Sequence, residues 1–334
     1  RLGYLQAKGL KKGSYAIFQL ENNEEFLTTF WACLLGNIIP IPIAVGLNDA
    51  KSIKFFHILR MIQDAVIITT EEIKSKLLLL DRDFHNENYK DKILQDTYSV
   101  ENMHGFDVLG EVANVTPDML AFVQFSSGST GEPKGVMLTH ENLLTNIRDI
   151  QHKANISEQD EIMSWLPLTH DMGIIGFHLV PVLVGANNYI IPTNLFARNP
   201  IIWMNKTDEY RATIISSPNF GYKLFMKYYE HEKKKNKEFH WDLSCVRLIF
   251  NGAEPISVEI AKAFMDQLKI YQLRETAMYF VYGMAEACLG ITFPEPEQAY
   301  HYFAINIHSL TIGNKVELAD CNNQEEEILL LADC

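Results

Sequence analysis

The 334 residues carry a formal net charge of −13, with 47% hydrophobic and 21% charged side chains. This is the composition of a globular chain long enough for two or three packed lobes. Such acidity excludes a non-specific grip on nucleic acid or an anionic membrane, so a polyanionic ligand would need local donors and metal.

Five cysteines, Cys33, Cys245, Cys288, Cys321 and Cys334, are scattered with no CxxC or Cys/His metal spacing. That favours free thiols in a reducing, cytoplasmic setting. No signal peptide is discernible. The longest apolar stretch, 173–186, is interrupted by His178 and Pro181. It is too short to cross a bilayer and is expected to be a buried helix. The opening at Arg1 and the stop at Cys334, just after the apolar run 328–331, read as a fragment of something longer.

Strands are predicted at 15–20, 38–45 and 65–70, with helical spacing of apolar residues over 24–36 and 50–63 between them. The polar stretch 85–92 and the segment 111–117 are candidate breaks between lobes. Further strands are predicted at 120–125, 188–192, 212–216, 247–251 and 278–282. Helices are expected at 140–152, 200–210, 219–229 and 257–268. Repeated β-α-β units argue for an α/β class with parallel sheets covered by helices. The run 231–238 (HEKKKNKE) is expected as a solvated helix end, and 322–327 (NNQEEE) as an exposed hairpin tip.

The segment 126–135, SSGSTGEPKG, packs three glycines, four hydroxyls and one lysine between a predicted strand and the helix starting near His140. Glycines admit positive φ and close backbone approach. The N–H groups and the hydroxyls of Ser126, Ser127, Ser129 and Thr130 can then donate to phosphate oxygens, with Lys134 supplying charge. It is not a Walker A loop, because Pro133 precedes the lysine and no Ser or Thr follows it, nor is it GxGxxG. The bland alternative is a flexible Gly/Ser turn.

This loop resembles the signature of the adenylate-forming superfamily of acyl-CoA synthetases, peptide-synthetase adenylation domains and luciferases. Three later segments continue the resemblance in order: 165–173 (WLPLTHDMG), 251–255 (NGAEP) and 282–286 (YGMAE). The resemblance implies two flavodoxin-like α/β lobes, expected over 1–112 and 113–334, with the site at strand ends. The barrel lobe and small C-terminal domain of that superfamily, with its catalytic lysine, are expected to be largely absent. Lys134 belongs to the phosphate loop and is not that lysine, so little complete turnover is expected from this chain alone.

The resemblance also implies roles. Ser126, Ser127, Gly128, Ser129, Thr130, Gly131 and Lys134 would hold the phosphates of ATP. Glu286 would bind Mg²⁺, which takes carboxylate oxygen readily; Thr130 and Glu286 are the catalytic candidates. Tyr282 and Gly283 would lie beside the adenine, with Gly252, Ala253 and Glu254 on its other side. His170, Ile175, Asn219 and Phe220 would line the acyl pocket, with no acid–base role for His170. Without the resemblance, Glu286 could equally be an exposed residue at a helix start, and Tyr282 or His170 ordinary structural residues. Cys288 is expected to be core.

Within the superfamily, 195–203 (LFARNPIIW) and 216–222 (SSPNFGY) resemble the fatty acyl-AMP ligases. Those enzymes pass an acyl group from acyl-AMP to the phosphopantetheine thiol of an acyl carrier protein, in polyketide or peptide assembly. Residues 293–310 (FPEPEQAYHYFAINIHSL) fall where those ligases carry an insertion that disfavours free coenzyme A, although an ordinary surface excursion would look alike. The apolar neighbourhood of Ile174, Ile175 and Phe177 would suit an aliphatic tail or a core. A fatty acyl-CoA ligase and an inactive nucleotide- or acyl-binding fragment are the alternatives. An amino-acid adenylation domain is disfavoured, since 216–221 offers no aspartate for a substrate ammonium.

Overall fold

The first sheet is built on strand β1 (Tyr15–Gln19), which pairs in parallel with β2 (Ile39–Pro42) on one side and β3 (Val66–Thr69) on the other. Strand β4 (Thr97–Ser99) extends it, giving the order β2-β1-β3-β4. This computed structural model describes residues 1–46, 49–80, 89–126, 133–313, 315–319 and 328–334. Contacts divide the chain into two units, Arg1–Thr145 with Leu168–Asp171, and Asn146–Pro167 with Met172–Cys334.

In the first unit, α1 (Leu2–Ala7), α2 (Asn23–Leu35), α3 (Asp49–Met61), α4 (Glu71–Leu80) and α5 (Lys90–Gln95) alternate with these strands. Helix α2 starts where the Asn22 side chain accepts from the Glu25 N–H at 3.0 Å, with Glu24 and Glu25 in its first turn. The β2 sequence Ile-Pro-Ile-Pro shapes the edge of the sheet. The Ile39 N–H reaches the Ser14 carbonyl just before β1, so Pro40 and Pro42 turn their donor-less nitrogens the other way. Strand β5 (Leu120–Ser126) runs on that side, and among the described residues no ladder joins it to β2. It pairs instead with β6 (Lys134–Thr139), antiparallel, and α6 (His140–Lys153) follows.

The second unit holds a five-stranded parallel sheet in the order β11-β10-β9-β7-β8. Its strands are β7 (Glu161–Ser164), β8 (Asn187–Ile190), β9 (Ile214–Ser216), β10 (Leu248–Asn251) and β11 (Met278–Phe280). Helices α7 (Val180–Val184), α8 (Thr193–Arg198), α9 (Ile201–Glu209), α10 (Asn219–Lys234) and α11 (Val258–Leu268) connect them. Two short antiparallel pairs follow, β12 (Tyr282–Gly283) with β13 (Gly290–Thr292), and β14 (Tyr302–Asn306) with β15 (Ile328–Ala332).

The α/β expectation holds: both sheets are parallel and covered by helices. Three local expectations change. The loop of 126–135 leads into β6 and not directly into a helix, because β6 is an exposed return strand with only Leu138 fully buried. The apolar run beginning at Gly173 is a π-helix over Met172–Leu179 before α7; burial reports apolar character but not hydrogen-bond span. The strand expected over 278–282 breaks at Val281, whose N–H reaches the Asn251 carbonyl, and Tyr282 begins a separate pair.

The run 231–238 is an exposed helix end, as expected. The tip 322–327 and residues 85–88 of the polar stretch lie outside the described residues. Cys288 is buried, and Cys33, Cys245, Cys288 and Cys334 form no disulfide among the described residues.

Candidate functional site

In the first unit, the β5–β6 hairpin sets Ser126 opposite Lys134 in register, at the mouth of the loop between them. Ser127, Gly128, Ser129, Thr130 and Gly131 lie outside the described residues. Lys134 is exposed and has no ion-pair partner among the described residues, which leaves its ammonium available to an anion.

Two residues before Ser126, Gln124 is buried and donates from Nε2 to the Thr169 carbonyl at 2.9 Å. That bond ties the 168–171 segment to β5. Its Oε1 is buried with no hydrogen-bond partner among the described residues. No local pattern marks this role, because the two residues are 45 positions apart.

On the tied segment, His170 Nδ1 lies 2.6 Å from Asp171 Oδ1. The hydrogen bond that the His170 ring donates to the Asp171 carboxylate raises the imidazole above its ordinary value, against burial and the charge of Lys54, which both lower it. His170 is half exposed and pairs with an acid.

In the second unit, the motif segments leave the carboxyl ends of neighbouring parallel strands. Trp165 follows β7, Ser217–Asn219 follow β9, Gly252–Pro255 follow β10, and Tyr282 lies just past β11. The carboxyl edge of an open parallel sheet is where such folds bind ligands. The segments are stitched to one another. Asn219 is buried, donates from Nδ2 to the Pro255 carbonyl and accepts from the Ser257 N–H at 3.1 Å. The Glu254 carboxylate accepts from the Phe220 N–H at 2.9 Å, in the first turn of α10. Ser164 and Ser216 hydroxyls meet at 3.2 Å below them.

Gly252 is buried beside Val281, and Ala253 adopts a left-handed backbone at φ 71°. Phe220 is half exposed, with its ring 5.5 Å from that of Trp165, edge to face. Ile175 is fully buried inside the π-helix. The segments 216–222 and 251–255 were each legible in sequence, but the cap by Glu254 and the bridge by Asn219 were not, since both are made between distant residues.

Tyr282 is exposed on β12, and Glu286 is exposed on the 3-10 turn Ala285–Ala287. That turn is closed tightly. The Met284 N–H reaches the Leu289 carbonyl at 2.9 Å, and Cys288 sits at φ 71° and ψ −66° in a γ-turn closed by Leu289 N–H to Ala287 carbonyl. Positive-φ γ-turns are rare and strained. A Cβ on Gly283 would lie 1.9 Å from the Leu289 oxygen, so only glycine allows this approach.

The donor sets fit the nucleotide and metal that the resemblance implies. Lys134 and Ser126 offer cationic and hydroxyl donors suited to phosphate, and Glu286 offers an exposed carboxylate suited to a hard divalent cation.

Residues 293–302 pack on the second unit. The Tyr279 hydroxyl donates to the Pro294 carbonyl at 2.9 Å, Phe293 stacks on Tyr279, and Tyr300 lies 5.0 Å from Phe280. Among the described residues no helix is long and apolar enough to cross a membrane.

Comparisons with known proteins identify the family and the fold. A medium-chain-fatty-acid–acyl-carrier-protein ligase from Teredinibacter turnerae is 30% identical over 92% of this chain and 53% of its own length. The fatty acyl-adenylate ligase of L. pneumophila, solved with acyl adenylate and pyrophosphate, superposes with a TM-score of 0.84 at 28% identity. It covers 99% of this chain and 55% of that one. The adenylation domain of a keto acid-selecting NRPS module, bound to keto acyl adenylate, gives 0.86 at 26% identity, over 99% of this chain and 59% of that one. The chain thus spans about half the length of the relatives it matches. The sequence profile of AMP-binding enzymes matches residues 3–326. The chain belongs to the AMP-binding enzyme family.

Proposed function

We propose that this chain is the nucleotide-binding part of a fatty acyl-AMP ligase. It activates a fatty acid with ATP as acyl-AMP and pyrophosphate, for delivery to the phosphopantetheine thiol of an acyl carrier protein. The observation that carries the reading is the convergence of the 165, 217–219, 252–255 and 282 segments on one carboxyl edge of a parallel sheet. The relatives that load carrier proteins support the choice of acceptor.

In the first half-reaction the acid's carboxylate oxygen attacks the α-phosphorus, and the bond to pyrophosphate breaks. No proton has to move, so placement and charge neutralisation supply the acceleration. Lys134 and Ser126 would hold the departing phosphates, with Ser127–Gly131 between them. Glu286 would hold Mg²⁺, which supplies neutralisation of phosphate charge when bound. Tyr282 and Gly283 would border the adenine on one side, and Gly252, Ala253 and Glu254 on the other. His170, Ile175, Asn219 and Phe220 would contact the acyl group. In the second half-reaction the carrier thiolate attacks the acyl carbon and AMP leaves.

The test is mass spectrometry on the protein at its natural length, with ATP, Mg²⁺ and a ladder of fatty acids beginning at medium chain. Coenzyme A or a holo carrier protein is offered as acceptor. Acyl-AMP that accumulates with coenzyme A and passes to the carrier protein is the expected result. Efficient acyl-CoA formation would move the protein to the acyl-CoA ligases.

A further inference from the structure

The hairpin that carries Tyr282 and Glu286 is short, with Tyr282 and Gly283 on one strand and Gly290–Thr292 on the other. A two-stranded ladder of this size is marginal by itself. Its outer strand is completed by a side chain. The Asn146 Nδ2 donates to the Gly290 carbonyl at 2.8 Å, and the Gly290 N–H donates to Asn146 Oδ1 at 2.9 Å. The amide thus pairs with one peptide at two points, as a neighbouring strand would. Both backbone groups of Gly290 are satisfied by a residue 144 positions away in sequence.

Helix α6 is placed for this. Ile150, one turn after Asn146, lies on the same face, and a Cβ on Gly290 would come within 3.2 Å of its Cγ1 and 2.2 Å of the Phe293 ring. Gly290 therefore has no side chain, and its peptide can approach α6. From Gly290 the chain runs back through the strained turn at Cys288 to Glu286, with Met284 N–H and Leu289 carbonyl closing the loop. The backbone leaves little slack between the Asn146 clamp and the Glu286 carboxylate.

Resting on the reading that Glu286 and Tyr282 face the nucleotide, we propose that Asn146 is a positioning residue for the metal–nucleotide end of the site. By clamping the Gly290 peptide it fixes the orientation in which the hairpin presents Glu286. Partners that orient a metal-binding side chain typically change affinity by about ten- to a hundredfold when removed.

The test combines two variants and two readouts on the protein at its natural length. Hydrogen exchange without ligand is followed at Gly290 and Met284, and ATP binding is titrated with Mg²⁺ present and absent. Asn146→Ala is expected to speed exchange at both amides and to weaken Mg²⁺-dependent ATP binding on the order of tenfold, with Mg²⁺-free AMP binding changed less. Asn146→Asp supplies the second variant. Its ionised carboxylate faces the Gly290 carbonyl unfavourably, whereas the neutral acid has one acceptor and one donor, as the amide does. Its loss should therefore shrink towards wild type below about pH 6, measured against wild type at each pH.

Unchanged exchange at Gly290 in Asn146→Ala would overturn the proposal whatever the nucleotide does. Mg·ATP affinity within twofold of a binding wild type, or an Asn146→Asp loss independent of pH, would overturn it as well. A wild type that binds no Mg·ATP would instead sink the functional reading, with the exchange result still deciding whether Asn146 clamps the hairpin.

Discussion

The carboxylate of Glu254 caps a helix belonging to another motif: it accepts from the Phe220 N–H at 2.9 Å, joining the β10 loop to the first turn of α10. An acidic group at a helix N-terminus satisfies an orphan donor and suits the dipole. Glu254→Ala should cost about 1 kcal/mol in urea denaturation. Glu254→Gln, which keeps an acceptor, should cost less. Equal losses would show that the bond contributes nothing.

Asp160 and Arg247 lock the opposite end of the second unit. The guanidinium meets both carboxylate oxygens at 2.8 Å and also donates to the Ala154 and Asn155 carbonyls at the end of α6. Burial pushes the Asp160 carboxyl up, but Arg247, the Ser157 N–H and the Thr213 hydroxyl together hold it below the usual range. A depressed carboxylate contributes stability above its unfolded value near ~3.9, lost as pH falls through the lower native value. Asp160→Ala should cost about 3 kcal/mol at neutral pH, because the part-buried Arg247 loses its two-point carboxylate partner and keeps only Glu297 at 3.8 Å. It should also flatten the acid limb of stability against pH. A steep acid limb retained in the variant would assign it elsewhere.

His178 acts at milder pH. It is buried, with Nδ1 3.1 Å from Asn188 Oδ1, and burial lowers its value against that hydrogen bond, which raises it. A histidine held neutral in the fold contributes fully above its unfolded value near ~6.5, and that contribution is lost as pH falls below it. The wild-type urea midpoint should drop between about pH 6.5 and 5 more steeply than that of His178→Gln. Parallel curves would contradict the assignment.

The parts of the fold legible in sequence were those with their own local pattern. The alternation of β1, α2, β2, α3 and β3 is a run of β-α-β units, and the motif segments lie at strand ends where residues of that kind belong. Strand β6 was missed because Lys134–Thr139 is exposed along most of its length and carries no period-two apolar face. The π-helix was hidden because every position from Met172 to Ile175 is buried, which erases periodicity. The site's supporting bonds, Gln124 to Thr169, Glu254 to Phe220 and Asn146 to Gly290, link residues with no local pattern in common.

Gly283→Ala should disable the Glu286 turn outright. The added methyl would lie 1.9 Å from the Leu289 oxygen, and backbone has to move to admit it. Mg²⁺-dependent ATP binding should fall by at least about tenfold, while the unfolding free energy from urea titration falls by only about 1–3 kcal/mol. Undiminished binding would mean that the turn does not face the nucleotide.

Lys134→Ala separates the phosphates from the rest of the nucleotide. A charge-assisted bond is worth about 1.5–3 kcal/mol, so ATP should bind about tenfold or more weakly. AMP, which lacks the β- and γ-phosphates, should bind as in wild type. Equal losses for ATP and AMP would remove Lys134 from the phosphate role.

The most direct measurement supplies the protein at its natural length with ATP, Mg²⁺ and a fatty acid labelled with ¹⁸O in its carboxylate, then traps the acyl group with hydroxylamine. Attack of the carboxylate on the α-phosphorus leaves one labelled oxygen on AMP, and this is the expected result. Label in inorganic phosphate, with ADP as the nucleotide product, would mean an acyl phosphate route and would contradict adenylate formation.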